Sequence, residues 1–392
     1  MSVTILPVST AAELRTFIRL PAHLADRRPN QVLPLWSEEE AYHDPKRNPA
    51  LKECTLLRLL AMRNGAAVGR IMGIIHGGHN ALHGTRTARF AQLDAIDDPS
   101  VSAALVGAVE AWARTHGMDS IIGPFGLSDK DPQGFQIEGF EHLPVLATPT
   151  NAAHLPKHVE AWGYTKHTDA LAYRVPIPEQ LPAGYYRVAE RLLAMGEFHV
   201  VHLPSRKALK PWILPVLRLV NITYRDLLGF VPMDEKEMEH LAAQYMPVLD
   251  PDFVKILANK ANDPVAFVVA MPDMSEGLFK ARGSLFPFGF LHILVSMRRT
   301  KQLDLFLGAV HPLWQKHGLT CILAIELLGQ ARKRGMTHFD SHLILETNTA
   351  MRGEVERLGG EVWKRYRVYG KSLERSESIV VSDQSLVTVT ND

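Results

Sequence analysis

The sequence predicts two tandem domains of mixed α/β class, and three observations lead there. Strand-like and helix-like runs occur in the same order twice along 392 residues, a length beyond one ordinary core. Two short stretches recur at matching places: Ala113-Arg114-Thr115-His116-Gly117-Met118 is mirrored by Ala331-Arg332-Lys333-Arg334-Gly335-Met336, and 158–164 by 354–360. Between the copies, Pro176, Pro178, Pro182 and Gly184 mark a junction near 177–188. The repeat assigns 1–178 to a first domain and 188–373 to a second, with 374–392 as a polar, flexible tail.

In the first half, residues 3–8 read as a strand, and 11–25 as an amphipathic helix entered through Ser9 and Thr10. Runs 55–63 and 66–76 flank Asn64-Gly65, a hairpin signal. Strand 88–96 leads to Asp97-Asp98-Pro99, a helix cap with proline in the first turn; helix 99–115 stops at Gly117 and strand 118–123 follows. In the second half, strand 197–203 precedes helical segments 206–228 and 233–246 and strands near 252–258 and 264–271. Strand 303–310, helix 318–334, Gly335 and strand 337–345 then repeat the earlier order, and a last strand carries Tyr366 and Tyr369.

Composition narrows the function classes. Apolar residues at 46% and charged residues at 22% are the balance of a globular protein. A net charge of +1 supplies no basic stripe, so no nucleic-acid partner is expected. Two cysteines, Cys54 and Cys321, exclude a disulfide framework or a cysteine-paired zinc site. The start lacks a basic region and long apolar core, and no run of 18 uncharged apolar residues exists, so the expected setting is cytoplasmic, with membrane contact only from the surface. His76, His79 and His83 read as a surface loop in a Gly-rich hairpin, and no metal is expected.

Function concentrates in 305–320. A buried strand stops at Val310, Pro312 forces a turn, and a helix opens near Gly318. Such a turn presents backbone N–H groups to an anion, and Lys316 adds positive charge. The first half has Asp97 and Asp98 at the equivalent helix start, where they would repel a pyrophosphate. Gln315, Gly318 and Thr320 follow a strand with the Val-x-Pro ending of Val310-His311-Pro312. Here the chain resembles the GNAT acyltransferase superfamily, whose signature is Q/R-x-x-G-x-G/A; Thr320 stands where Gly or Ala is usual. The resemblance implies two tandem GNAT-like domains, the first degenerate for CoA binding. It places the pyrophosphate of acyl-CoA, a co-substrate, against Val310, Gln315, Lys316, His317, Gly318, Leu319 and Thr320. It also implies that the strand ending at Val310 pairs with the pantetheine arm. His311 and His317 flank this loop.

Amide formation needs a neutral amine, a donor to the developing oxyanion and a proton for the thiolate. Glu346 is the candidate base and Asn348 a candidate to orient pantetheine or substrate; the alternative is a cap on helix 348–357. Tyr366, with Tyr369 as second choice, is the candidate acid. The loop 123–134 offers Ser128, Asp129 and Asp131 to an ammonium and hydroxyls, or forms an Asx-rich turn. Phe286, Phe288 and Phe290, followed by Arg298-Arg299, suit an acyl tunnel or an interfacial segment on the inner face of the membrane; a helix packed between domains is the alternative. The loop 123–132, the 285–290 insert and Leu345-Glu346-Thr347-Asn348 together resemble a narrower bacterial group that includes ceramide synthases. That resemblance implies transfer of a long acyl chain from acyl-CoA to a long-chain amine, a sphingoid base, giving ceramide or 3-ketoceramide. The alternatives are a tandem transferase moving short acyl or aminoacyl groups to a peptide or small amine, and a non-catalytic acyl-CoA or lipid carrier.

Overall fold

The computed structural model describes residues 3–24 and 30–374. In the first half, β1 (Thr4–Pro7) is followed by α1 (Ala11–Leu24) and α2 (Trp36–Tyr42). Then come β2 (Cys54–Arg63), β3 (Ala66–His76), α3 (Gly77–His83), β4 (Thr87–Ala95), α4 (Pro99–Thr115) and β5 (Ser120–Gly123). The half closes with β6 (Phe135–Glu138), α5 (Leu155–Ala161) and β7 (Thr165–Pro176). β1 to β4 are antiparallel, and β5 lies parallel to β4.

The second half runs α6 (Ala183–Ala194), β8 (Phe198–Val200), α7 (Arg206–Thr223), α8 (Glu235–Tyr245), β9 (Val254–Asn259) and β10 (Pro264–Pro272). After these come α9 (Ser275–Ala281), α10 (Gly289–Arg299), β11 (Gln302–Val310), α11 (Leu319–Lys333), β12 (His338–Asp340), β13 (Ile344–Leu345), α12 (Thr349–Arg357) and β14 (Glu361–Ser372). β8 to β11 are antiparallel and β12 is parallel to β11, as in the first half.

The sequence repeat is a structural repeat. α4 and α11 end alike: Met118 N donates to Ala113 O at 3.0 Å and Met336 N to Ala331 O at 3.0 Å. The glycine between is left-handed in each, φ 76° at Gly117 and 75° at Gly335, where a Cβ would be strained. The ends of α5 and α12 match too, through Tyr164 N to Val159 O at 3.1 Å and Gly360 N to Val355 O at 2.9 Å. Each half buries its own core, one around Leu105 and Val109 of α4, the other around Leu327 and Leu328 of α11.

Topology departs from simple tandem order at the last strand of each half. β7 pairs with β12 and β13 of the second half, while β14 pairs with β5 and β6 of the first. β7 and β14 also pair with each other from Glu361↔Arg174 to Gly370↔Thr165. The halves thus exchange their final strands, and all fourteen strands form one sheet. Neither half's part of that sheet is complete without the other half's chain.

Four sequence expectations change. α6 begins inside the proline-rich junction, because Pro182 at the helix start removes no intrahelical hydrogen bond. The helix expected over 206–228 stops at Thr223, with Tyr224 as its cap. The strand expected over 337–345 is interrupted between Asp340 and Ile344, where His342 has φ 57°. His76 is not on a surface loop: it is 3% exposed and caps α3, its Nδ1 accepting from His79 N at 3.2 Å. Burial, then the nearby Arg89 guanidinium, holds the His76 and His79 imidazoles down at about 4. Of the tail expected at 374–392, only Glu374 falls among the described residues. No helix among those residues is long and apolar enough to cross a membrane.

Candidate active site

Where β11 and β12 part, they make an opening. They pair through Gln302↔His338, Leu303↔Phe339 and Asp304↔Asp340 and then separate. β11 continues to Val310 against β10 alone, so its other edge over 305–310 meets no strand. At the end of that edge a short turn, Pro312–Trp314, leads through Lys316 (φ 64°) and Gly318 (φ 91°) into α11. A Cβ on Gly318 would lie 2.5 Å from Val188 Cγ1, so glycine is required by packing as well as by its backbone angle. The first-turn amides of α11 have no intrahelical acceptor. Gln315, Lys316, His317 and Thr320 are exposed around them, whereas the Leu319 side chain is buried and leaves only its amide for a ligand. His311 Nδ1 accepts from Leu313 N at 3.3 Å, and His317 Nδ1 lies 2.8 Å from Gln315 O, so both histidines shape the loop. In the first half this position is closed: Asp98 accepts from Ser100 N at 2.9 Å and pairs with Arg63 at 2.7 Å.

The open edge of β11 is capped from inside the protein. Tyr224 Oη donates to Gly308 O at 2.9 Å and accepts from Gly308 N at 3.4 Å, and Gln315 Nε2 donates to Val310 O at 3.3 Å. Tyr224 begins a strap, 224–233, which crosses to the first half, where Leu228 packs on Ile122, Phe125 and Val368. Gly229 (φ 72°) permits that crossing; its Cβ would meet Phe125 Cζ at 2.1 Å. Any extended ligand that pairs with β11 must displace the Tyr224 hydroxyl. Tyr224→Phe is therefore expected to tighten binding of such a ligand about three- to tenfold, the worth of one net hydrogen bond, and calorimetry with acyl-CoA checks it.

At the apex, the interruption of β12 places His342. Its N–H donates to Asp340 Oδ1 at 2.6 Å, and Ser341 Oγ donates to His342 O at 2.9 Å, which holds the left-handed turn. The ring is deeply set yet keeps some open surface. Nε2 lies 3.1 Å from Leu146 O, an acceptor only, so Nε2 carries the proton and Nδ1 a lone pair. Nδ1 has no hydrogen-bond partner among the described residues. Burial lowers the imidazole from its ordinary value, Lys364 adds to this, and Asp340 and the Leu146 carbonyl oppose it. The ring packs edge-on to Phe306 of β11 at 5.7 Å, and Phe306 lies 5.0 Å from Tyr245 of α8.

Asp340 is fully buried and also accepts from Trp363 Nε1 at 3.0 Å, with Lys364 Nζ at 3.7 Å. Lys364 Nζ lies 3.9 Å from the Trp363 ring centre and has no hydrogen bond among the described residues. The neighbouring Asp304 carboxyl is pushed well above the carboxylate range by burial, then by Asp273 and Asp340.

The candidate residues read from sequence do not all converge here. Glu346 pairs with Lys166 at 2.6 Å and accepts from Asp169 N at 3.0 Å; Lys166 first, then that amide, lowers its carboxyl, opposite to the shift a base for an amine needs. Asn348 caps α12, accepting from Met351 N at 3.1 Å. Tyr366 is fully buried and its hydroxyl has no hydrogen-bond partner among the described residues, and Tyr369 donates to Glu160 at 2.7 Å. Asp129 pairs with Lys130 at 2.9 Å, and Ser128 Oγ accepts from Lys130 N at 3.3 Å. Phe286, Phe288 and Phe290 face outward.

Asp131 does join a buried acidic group, with residues that sequence reasoning missed. It accepts from Tyr42 Oη at 2.9 Å and Leu127 N at 2.6 Å, and its carboxyl is raised by burial. Glu39, bonded to Gln92 Nε2 at 3.1 Å, is raised by burial too, with Asp94 and Asp131 adding to the shift. The charge of Asp131 acts on both Glu39 and Tyr245, and the Tyr245 ring lies 5.0 Å from Phe306. Nothing in local periodicity marks Glu39, Tyr224 or His342; the only sequence hint is that His342 directly precedes the run 343–349. A groove lined by His202, Arg206, Asp250 and Lys255 lies along the outer strands, away from this acidic group.

The two halves together have a tandem GNAT fold. A tandem GNAT protein from the clavulanic acid biosynthesis pathway superposes with TM-score 0.52 at 13% identity, covering 96% of this chain and all of that one. A GCN5-related N-acetyltransferase from Sphaerobacter thermophilus gives TM-score 0.50 at 11% identity over 95% and 96%. No family model matches the chain. It is 32% identical over 370 residues to Protein YghO of Escherichia coli (strain K12), covering 92% of this chain and 93% of that one, and it belongs to that protein's family. It is also 29% identical over 378 residues to a bacterial ceramide synthase of Caulobacter vibrioides (strain NA1000 / CB15N), covering 95% and 98%.

Proposed function

We propose that this protein transfers a long acyl chain from acyl-CoA to the primary amine of a sphingoid-type base, with His342 as general base. The observation that carries the reading is the parting of β11 from β12 after Asp304, directly before the loop at α11. A pyrophosphate at the first-turn amides of α11, beside Lys316, leaves the pantetheine arm along the 305–310 edge once Tyr224 has moved. The thioester then lies toward the apex, where His342 Nδ1 offers a lone pair. The neutral amine attacks the thioester carbon, His342 takes an amine proton, and collapse of the tetrahedral adduct breaks the C–S bond. The thiolate leaves and takes up a proton, completing an amide and free CoA.

The acceptor reading has two supports. One is the relative named a bacterial ceramide synthase. The other is the buried acidic group: Glu39 and Asp131, raised by burial, would be stabilised by an ammonium beside them, and ring contacts run from Tyr245 through Phe306 to His342. The test is release of free CoA thiol from C2 to C18 acyl-CoAs with sphinganine, 3-ketosphinganine and short amines as acceptors. Thiol release that requires a long-chain amine supports the reading; release with short amines alone discards the lipid acceptor. Lys316→Glu reverses the charge beside the phosphate position and is expected to raise KM for acyl-CoA about tenfold at low salt while leaving kcat within about twofold. An unchanged KM would remove CoA from this loop.

A further inference from the structure

We infer that the α9–α10 hairpin is a docking surface for an anionic phospholipid bilayer. Among the described residues, seven of fourteen strongly exposed large apolar side chains fall between Phe279 and Val295. Scattered apolar residues on a surface are ordinary, but a contiguous group of this kind is not. α10 stands on the protein through Gly289, Ile293 and Ser296. The opposite face, which water would normally meet with polar groups, carries Leu291 (45% exposed), Leu294 (46%) and Val295 (45%). Phe286 and Phe288, at 78% and 64%, project from the turn before it.

Charge says what covers this face. Between 274 and 301 there are five cations, Lys280, Arg282, Arg298, Arg299 and Lys301, against one acid, Glu276, which bonds to Lys280. Arg298 lies four and seven residues after Leu294 and Leu291, on the same helical face. Neither Arg298 nor Arg299 is paired with a carboxylate among the described residues. Apolar side chains at the centre with Arg298 and Arg299 beside them match acyl chains beneath anionic headgroups. A second copy of the same surface would instead set cation against cation.

The position of the hairpin gives docking a purpose. Its inner residues Leu278, Ile293 and Met297 pack in one apolar cluster with Leu146, Leu249 and Phe306, which joins the hairpin to the ring beside His342. Its turn is tied to α2, the helix that carries Glu39, by Trp36 N to Gly283 O at 2.9 Å; a Cβ on Gly283 would lie 2.3 Å from the Trp36 ring. A long-chain amine leaving a bilayer held here enters the molecule beside Glu39 and Phe306.

Co-sedimentation of the full chain with vesicles tests this without turnover, so its failure leaves the acyl-transfer reading untouched. Phosphatidylcholine vesicles with and without phosphatidylglycerol are compared at low and high salt. The expected result is binding to the phosphatidylglycerol vesicles that falls with salt. Arg298→Gln and Arg299→Gln are expected to weaken it about fivefold each, and Leu291→Gln with Leu294→Gln roughly thirtyfold. Circular dichroism and Tm should be unchanged, because all four side chains are exposed. Absence of binding to either vesicle, or equal binding by the leucine variant, overturns the inference. So does a dimer that the leucine substitutions disperse while vesicles are ignored.

Discussion

Replacing His342 by alanine is expected to lower kcat by at least about a hundredfold, the contribution of a placed general base, with KM for acyl-CoA changed by less than about threefold. The expectation rests on three features that act together. The Leu146 carbonyl fixes the proton on Nε2, which leaves Nδ1 as the base. Asp340 and Ser341 hold the backbone at φ 57°, which fixes where the ring stands. Burial keeps the imidazole neutral further into acid than an ordinary histidine. The sign follows from that direction: base catalysis is present above the lowered imidazole pKa and is lost as pH falls through it. The acid limb of kcat in the unmodified protein should therefore lie below the usual imidazole range and be absent from His342→Ala. A merely structural role would lower kcat without removing that limb.

The second large effect concerns stability. Asp340→Ala is expected to cost about 3–5 kcal/mol, because it leaves Lys364 without its carboxylate in a site where both side chains are fully enclosed. It also deprives His342 N and Trp363 Nε1 of their acceptor. Lys364 belongs to β14, and Asp340 to β12, so the pair spans β7, which lies between these two strands in the sheet. Urea unfolding measures the loss as a shift in midpoint at constant slope. Adding Lys364→Met should restore part of it, since an enclosed apolar side chain needs no partner. A double variant as unstable as Asp340→Ala would show that the pair is not what stabilises this junction.

The contrast between these sites shows what the sequence can carry. Asn64-Gly65, Gly117 and Gly335 announce their turns because each needs a left-handed residue, and the structure has them at φ 52°, 76° and 75°. The loop ending at Gly318 was legible for the same reason. A last strand is legible at Tyr366 and Tyr369, but for β14, as for β7, alternation specifies a strand and never its partner. Only the three-dimensional pairing reveals that they are exchanged. His342 and Tyr224 are single polar residues within apolar surroundings, a pattern that ordinary core residues share, so nothing local separated them. Glu346 and Asn348 were conspicuous for their position in a resembling turn, while their observed partners are Lys166, the Asp169 amide and the first turn of α12. The phenylalanine run was legible as apolar, and its outward direction was set by which residues of α10 face the protein.

The most direct test of the account is mass-spectrometric detection of the amide formed from a long-chain acyl-CoA and sphinganine or 3-ketosphinganine, comparing the unmodified protein with His342→Ala at equal folded concentration. The account predicts a long-chain amide from the unmodified protein and at least about a hundredfold less from the variant. No amide from any acyl-CoA and amine pair, or equal amounts from both proteins, would contradict it.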